Sequence, residues 1–202
     1  MLSLTSDVYY KCNEYIRRRE VAVGESVSGT AVGGDALVAG SCVAPPDGGS
    51  PPPVSTANHA AEHAAERGRA LYEDGMYCAE VVLTVANEAA GHRLPSEVMS
   101  LGSGFWGGVA GDGSTCGALT GAIMAIGMLG GRTRIDGAWE PSAEAIAQMR
   151  SAFLERFGSM SCAGLTAQFG GMEGADRFRH CACLTGETAG MVVRLTGDRG
   201  WL

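Results

Sequence analysis

The sequence predicts an all-α fold: a compact bundle of five or six helices with a central glycine-rich loop and a flexible N-terminal tail. Three observations lead to this prediction. Apolar residues recur three and four positions apart in several segments, which places them on one helix face. Glycines end these segments, and no stretch alternates apolar and polar residues as a strand would. The 202 residues, 46% of them hydrophobic, are enough for one domain with a buried core.

The first 57 residues differ in composition from the rest. Three arginines at 17–19 precede a weakly apolar, Gly- and Ser-rich run to Cys42, and a Pro-rich linker follows. This order is typical of a twin-arginine or lipoprotein signal, although Glu20, Glu25 and Asp35 interrupt it. We therefore divide the chain into a disordered or degenerate signal-like tail with a Pro-rich linker, 1–57, and a helical domain, 58–202. We expect a cytoplasmic location, with twin-arginine-type export of the folded protein as the alternative.

The predicted helices follow one another from Thr56 onward. An Ala- and Glu-rich helix begins near Thr56 and is stopped by Gly75. A segment beginning with Pro95 opens the third helix, because proline suits a first helical turn. Cys116–Leu129 is apolar on all sides and is therefore a buried helix. The last helix is predicted over 175–195. The inner face of the second helix is predicted to consist of Cys78, Val81, Val82, Val85 and Ala89. The inner face of the fifth helix is predicted to consist of Ile146, Met149, Phe153 and Phe157.

Two patterns in the middle of the chain resemble a nucleotide-binding motif and a membrane-helix motif, but the neighbouring sequence supports neither. Residues 102–107, "GSGFWG", match the dinucleotide-binding G-x-G-x-x-G, but no strand precedes them. Gly117 and Gly121 give the buried helix a G-x-x-x-G pair, yet fourteen residues are too few to span a bilayer. We predict neither nucleotide binding nor a transmembrane helix. Nucleic acid is also excluded as a partner, because the net charge is −7 and the positive residues are not clustered.

The seven cysteines are dispersed, which argues against the usual cysteine motifs. Their number is odd, and neither C-x-x-C nor the haem-attachment motif C-x-x-C-H occurs, so covalently attached haem is not expected. Cys12 and Cys42 lie in the tail and are poor candidates for a site. The cysteines of the helical domain can instead meet in space.

Four of these thiols are predicted to face inward. Cys78 lies on the apolar face of the second helix, and Cys116 follows Ser114 and Thr115, either of which could cap the fourth helix. The helix start favours the thiolate form of Cys116. Cys162 also follows a serine at an apparent helix start.

The last helix offers two cysteines for the fourth position. At 100° per residue, Cys181 shares an arc with the apolar residues, whereas Cys183 lies about 200° away. Cys181 is therefore the predicted fourth thiol, with Cys183 as the alternate.

Four cysteines in an apolar, glycine-lined pocket suit an iron–sulfur cluster. Zinc is the less favoured ligand, because structural zinc sites usually take cysteines in close sequence pairs. The predicted metal ligands are Cys78, Cys116, Cys162 and Cys181. The residues expected to line the cofactor with backbone amides are Gly113, Ser114, Thr115 and Gly117.

The motif from Cys116 to Gly121, C-G-A-x-x-G, resembles that of the C_GCAxxG_C_C family, which is named for its cysteines and associated with redox activity. The family also has one cysteine upstream and two downstream, matched here by Cys78, Cys162 and Cys181. It is similar to the iron–sulfur part of split-Soret cytochromes, which are helical, dimeric electron carriers. The resemblance implies a two-iron, two-sulfur cluster and electron transfer, without the haem of those cytochromes.

The sequence is therefore compatible with three functions. The first is an iron–sulfur electron-transfer protein, possessing a redox partner that the sequence does not identify and forming a homodimer. The second is a metal-free thiol–disulfide redox protein or sensor, in which Cys116 attacks and Cys162 or Cys181 resolves. The third is a non-catalytic helical binding module with buried structural cysteines. Whether the protein is an oxidoreductase or an electron-transfer component is left open.

Overall fold

The computed structural model describes residues 56–170 and 174–202, so the expectations for the N-terminal tail, including Cys12 and Cys42, lie outside the described residues. Within these ranges the chain is all-α, as predicted, with six α-helices and no β-strand. Short 3-10 segments complete the fold at Ser96–Phe105, Val109–Gly111 and Ala167–Phe169. The helices are α1 (Thr56–Glu73), α2 (Cys78–Ala89), α3 (Gly117–Gly130), α4 (Glu140–Phe157), α5 (Cys162–Thr166) and α6 (Ala175–Asp198).

Two helices end just before the glycines that the sequence predicted. Gly75 follows α1 with φ +105°, and Gly158 closes α4 in the left-handed conformation, which glycine adopts without a Cβ clash. The segment after Pro95 is a 3-10 helix rather than an α-helix. It lies so close to α2 that a Cβ at Gly102 would come within 2.8 Å of the Glu80 backbone nitrogen.

Helix α3 lies in the core and contacts α2, α4 and α6. Ala118, Ala122 and Ile126 are fully buried, which confirms the prediction of a buried helix. Phe153 and Met149 of α4 fill the same core, as the periodicity predicted. These buried apolar side chains supply most of the driving force for folding.

The glycine pair of α3 serves packing inside the bundle. A Cβ at Gly121 would lie 2.7 Å from the carbonyl oxygen of Ala79, so the glycine lets α3 approach the first turn of α2. Similar close contacts join α6 to α1, where a Cβ at Gly190 would meet the carbonyl oxygen of Ala61. Among the described helices, none has the length and apolar character needed to cross a membrane.

Candidate functional site

Two short segments pair with each other and bring the starts of α3 and α5 together. Thr115 and Ser161 form an isolated antiparallel bridge between them. This pairing fixes the backbone next to two of the predicted ligands. Its hydrogen bonds run from Cys116 N to Met160 O (2.8 Å), from Cys162 N to Ser114 O (2.7 Å) and from Ala163 N to Gly113 O (2.9 Å).

Cys116 itself occupies the N-cap position of α3. The expectation that Ser114 or Thr115 caps this helix is wrong: the Ser114 hydroxyl accepts a hydrogen bond from the Val109 N–H (3.2 Å), and Thr115 lies in the bridge. The sulfur of Cys116 faces the backbone N–H groups of Ala118 and Leu119. These are the groups that helix starts leave without intrahelical partners.

Cys162 is the first residue of α5, in agreement with the predicted helix start. Ser161 caps this helix, since its hydroxyl accepts a hydrogen bond from the Gly164 N–H (3.0 Å). The Thr166 hydroxyl donates to the Cys162 carbonyl (2.8 Å) from one turn further on. Side-chain hydrogen bonds therefore stabilise both ends of the short helix that begins at Cys162.

Cys78 begins α2, and its sulfur lies directly against the first residue of α3. A Cβ added at Gly117 would overlap both the Cys78 sulfur and the carbonyl oxygen of Phe105. Only glycine leaves room for these two atoms. Gly117 is thus a cradle for the Cys78 thiol, immediately beside Cys116.

Cys181 lies in the second turn of α6 and receives hydrogen bonds from two side chains, Arg177 and Tyr72. Arg177 precedes it by one helical turn and is only 5% exposed. Its Nη1 donates to the Tyr72 hydroxyl oxygen at 3.5 Å. Sequence reasoning missed both residues, although Arg177 falls on the same helical arc as Cys181 and the apolar positions, which was the signal available.

Burial raises the pKa of all four thiols. The pKa of Cys116 is raised to about 11 and that of Cys162 to about 12, while those of Cys78 and Cys181 are raised as well. The expectation that Cys116 favours thiolate is therefore wrong in its net direction. The Ala118 and Leu119 N–H groups do lower its pKa, but loss of hydration in the core outweighs them.

Repulsion from neighbouring charged thiols also raises the pKa of Cys78, Cys116 and Cys162. Cys78 is influenced by Cys116, Cys181 and Cys162, and Cys162 is influenced by Cys116 and Cys181. All four are free cysteines, whereas Cys183 is not one of the free thiols. Within residues 56–170 and 174–202, no group of three or more His, Cys, Asp or Glu side chains is placed to hold a metal ion as it stands.

Gly113, Ser114, Thr115 and Gly117, the residues expected to line a cofactor, have a structural part in this arrangement. The first three form the paired segment beside Cys116 and Cys162, and Gly117 makes room for the Cys78 sulfur.

The comparisons with known proteins agree with the order of the cysteines. Residues 76–195, more than half of the chain, match the sequence profile described as "Putative redox-active protein (C_GCAxxG_C_C)". No curated protein and no solved structure matches the chain significantly. The matched range contains Arg177, Gly117 and the four free thiols described above. The chain therefore belongs to the C_GCAxxG_C_C family of redox-active proteins.

Proposed function

We propose that this protein transfers single electrons through a two-iron iron–sulfur cluster held by the thiolates of Cys78, Cys116, Cys162 and Cys181. The observation that carries the proposal is the convergence of the cysteine-bearing segments: the Thr115–Ser161 bridge joins the starts of α3 and α5, and the Cys78 sulfur lies against Gly117. The charge of Cys181 acts on each of the other three thiols, which supports its place beside them. Because Coulomb interactions weaken with distance, this mutual influence supports a common region for the four sulfurs.

The donor set fits the cluster in number and chemistry. Four cysteine thiolates are the usual ligands of two-iron clusters, with two of them at each iron. Each iron therefore needs only two of the cysteines. Among the described residues, no three side chains converge on one metal position, and a two-iron cluster does not require them to. Gly117 supports the fit because it leaves the Cys78 sulfur in contact with the start of α3.

Local groups offset part of the burial that keeps the four thiols protonated. N–H groups at the start of α3 favour the thiolate of Cys116, and Arg177 favours those of Cys162 and Cys181. Because the free thiols have raised pKa values, ligation must displace their protons and is favoured as the pH rises. When bound, an iron–sulfur cluster supplies reversible one-electron chemistry.

The metal-free thiol–disulfide alternative has weaker support. With a pKa of about 11, only about one Cys116 thiol in 10⁴ is ionised at pH 7, whereas the thiolate is the attacking species. Cys116 is also 6% exposed, so an external disulfide has little access to its sulfur.

Anaerobic reconstitution with iron and sulfide tests the proposal. We expect a brown protein with about two iron and two sulfide per chain and visible absorption, as well as an EPR signal after one-electron reduction. Serine in place of Cys78, Cys116, Cys162 or Cys181 should abolish or alter the spectrum. Cys183→Ser, which replaces a disulfide-bonded cysteine on α6, is the control and should leave the spectrum unchanged. A colourless, iron-free wild-type protein after reconstitution would contradict the proposal.

A further inference from the structure

One side of the thiol site carries a buried positive charge. Arg177 and Cys181 lie one turn apart on α6, and Tyr72 reaches them from α1. Both side chains donate hydrogen bonds to Cys181, and Arg177 is also bonded to Tyr72. Tyr72 is held in place by the ring of Phe178, whose centroid lies 5.3 Å away.

The other side of the site has backbone donors instead. The groups that favour the thiolates of Cys78 and Cys116 are the N–H groups of Ala79, Ala118 and Leu119. The charge of Arg177 acts on Cys162 and Cys181, and at Cys162 it outweighs the opposing charge of Asp112. The charge of Arg177 therefore favours negative charge at the Cys162 and Cys181 end of the site.

We propose that Arg177 and Tyr72 are positioning residues that raise the reduction potential of the site by stabilising the charge it gains beside Cys181. This inference rests on the proposed function, because it concerns the cluster that the four thiols would hold. Neither residue is a metal ligand in it. Both act through the sulfur of Cys181.

The physical basis is the change in charge on reduction. The radical anion formed from dithionite, the donor in the experiment, loses one electron and the site gains one negative charge, with no bond formed or broken and no proton moved at the site. A fixed positive charge and hydrogen bonds to sulfur stabilise the more negative state, and therefore raise the potential. The effect is large because Arg177 is buried, where charges interact more strongly than in water.

The test is a mediated redox titration of reconstituted protein, followed by EPR. Arg177→Met should lower the potential by about 60 mV or more, which corresponds to a tenfold change in the one-electron equilibrium constant. Arg177→Lys retains the charge and should give a smaller decrease, as should Tyr72→Phe, which removes one donor. Arg179→Met is the matched control, because it removes an exposed arginine on the same helix that is paired with Asp176. Its potential should equal that of the wild type.

The outcomes separate this inference from the proposed function. If wild-type protein binds no cluster, the proposed function fails. If the cluster forms and Arg177→Met shifts the potential no more than Arg179→Met, the inference alone is overturned. If Arg177→Met cannot be loaded, Tyr72→Phe and Arg177→Lys decide: lowered potentials support the inference, and unchanged potentials in both overturn it.

Discussion

The two sides of the thiol site position the same kind of side chain by different means. On the glycine side (Cys78, Cys116 and Gly117), the sulfurs are held by shape and by backbone N–H groups. On the arginine side (Cys162, Cys181, Arg177 and Tyr72), side-chain donors and a positive charge act on them. The first side should tolerate no added atom, whereas the second should respond to changes in charge.

The largest effect is expected from Gly117→Ala on the glycine side. The new methyl group would overlap the Cys78 sulfur and the Phe105 carbonyl oxygen, and two backbone segments would have to move. We expect unfolding of the reduced, metal-free protein to become easier by about 3 kcal/mol, at the upper end for overpacking. Urea unfolding followed by circular dichroism measures this change, and reconstitution should fail to give the wild-type spectrum.

Gly127→Ala is the control for this substitution. It lies in the same helix, is exposed and has no heavy atom near its added Cβ. We expect it to be neutral or stabilising by up to about 1 kcal/mol, because alanine is the better helix former. Equal stability of the two variants would show that Gly117 does not form a tight cradle.

The next effect is a loss of stability at alkaline pH in the reduced, metal-free protein. The pKa of Cys116 is raised from about 9 to about 11, so its contribution is complete below pH 9 and is lost as the pH rises toward 11. Two pKa units correspond to about 3 kcal/mol. Urea unfolding midpoints between pH 7 and 11 should fall more steeply in the wild type than in Cys116→Ser. Parallel curves would contradict burial of this thiol.

The smallest effect concerns the helix start that carries Cys162. Ser161→Ala removes the N-cap hydrogen bond to Gly164 and should destabilise the protein by about 1 kcal/mol. Ser100→Ala is the control, because Ser100 is exposed and caps no α-helix. It should change stability by less than about 0.5 kcal/mol. If the two alanine variants are equally stable, the Ser161 cap does not hold α5.

Local patterns were sufficient to predict much of the fold. The apolar period of Val81, Val82 and Val85 is that of a helix face, and these residues are buried. The same period wrongly included Ala89, which is exposed near the end of α2. Periodicity identifies a face but does not show where neighbouring elements stop covering it.

The site was less predictable because its properties depend on tertiary contacts. The helix start next to Cys116 correctly indicated N–H groups that favour thiolate, but the dominant influence is burial, which the local sequence does not measure. Gly117 appeared as part of a motif, and its contact with Cys78, 39 positions earlier, depends on how α2 meets α3. Arg177 could have been found on its helical arc, but its bond with Tyr72 joins residues 105 positions apart.

If the four sulfurs form one coordination site, iron K-edge X-ray absorption of the reconstituted protein will detect sulfur as the ligand of iron. We predict that all iron is coordinated by sulfur in the wild type, with a second iron as a near neighbour. Iron bound mainly by oxygen or nitrogen, without a neighbouring iron, would contradict a shared four-cysteine site.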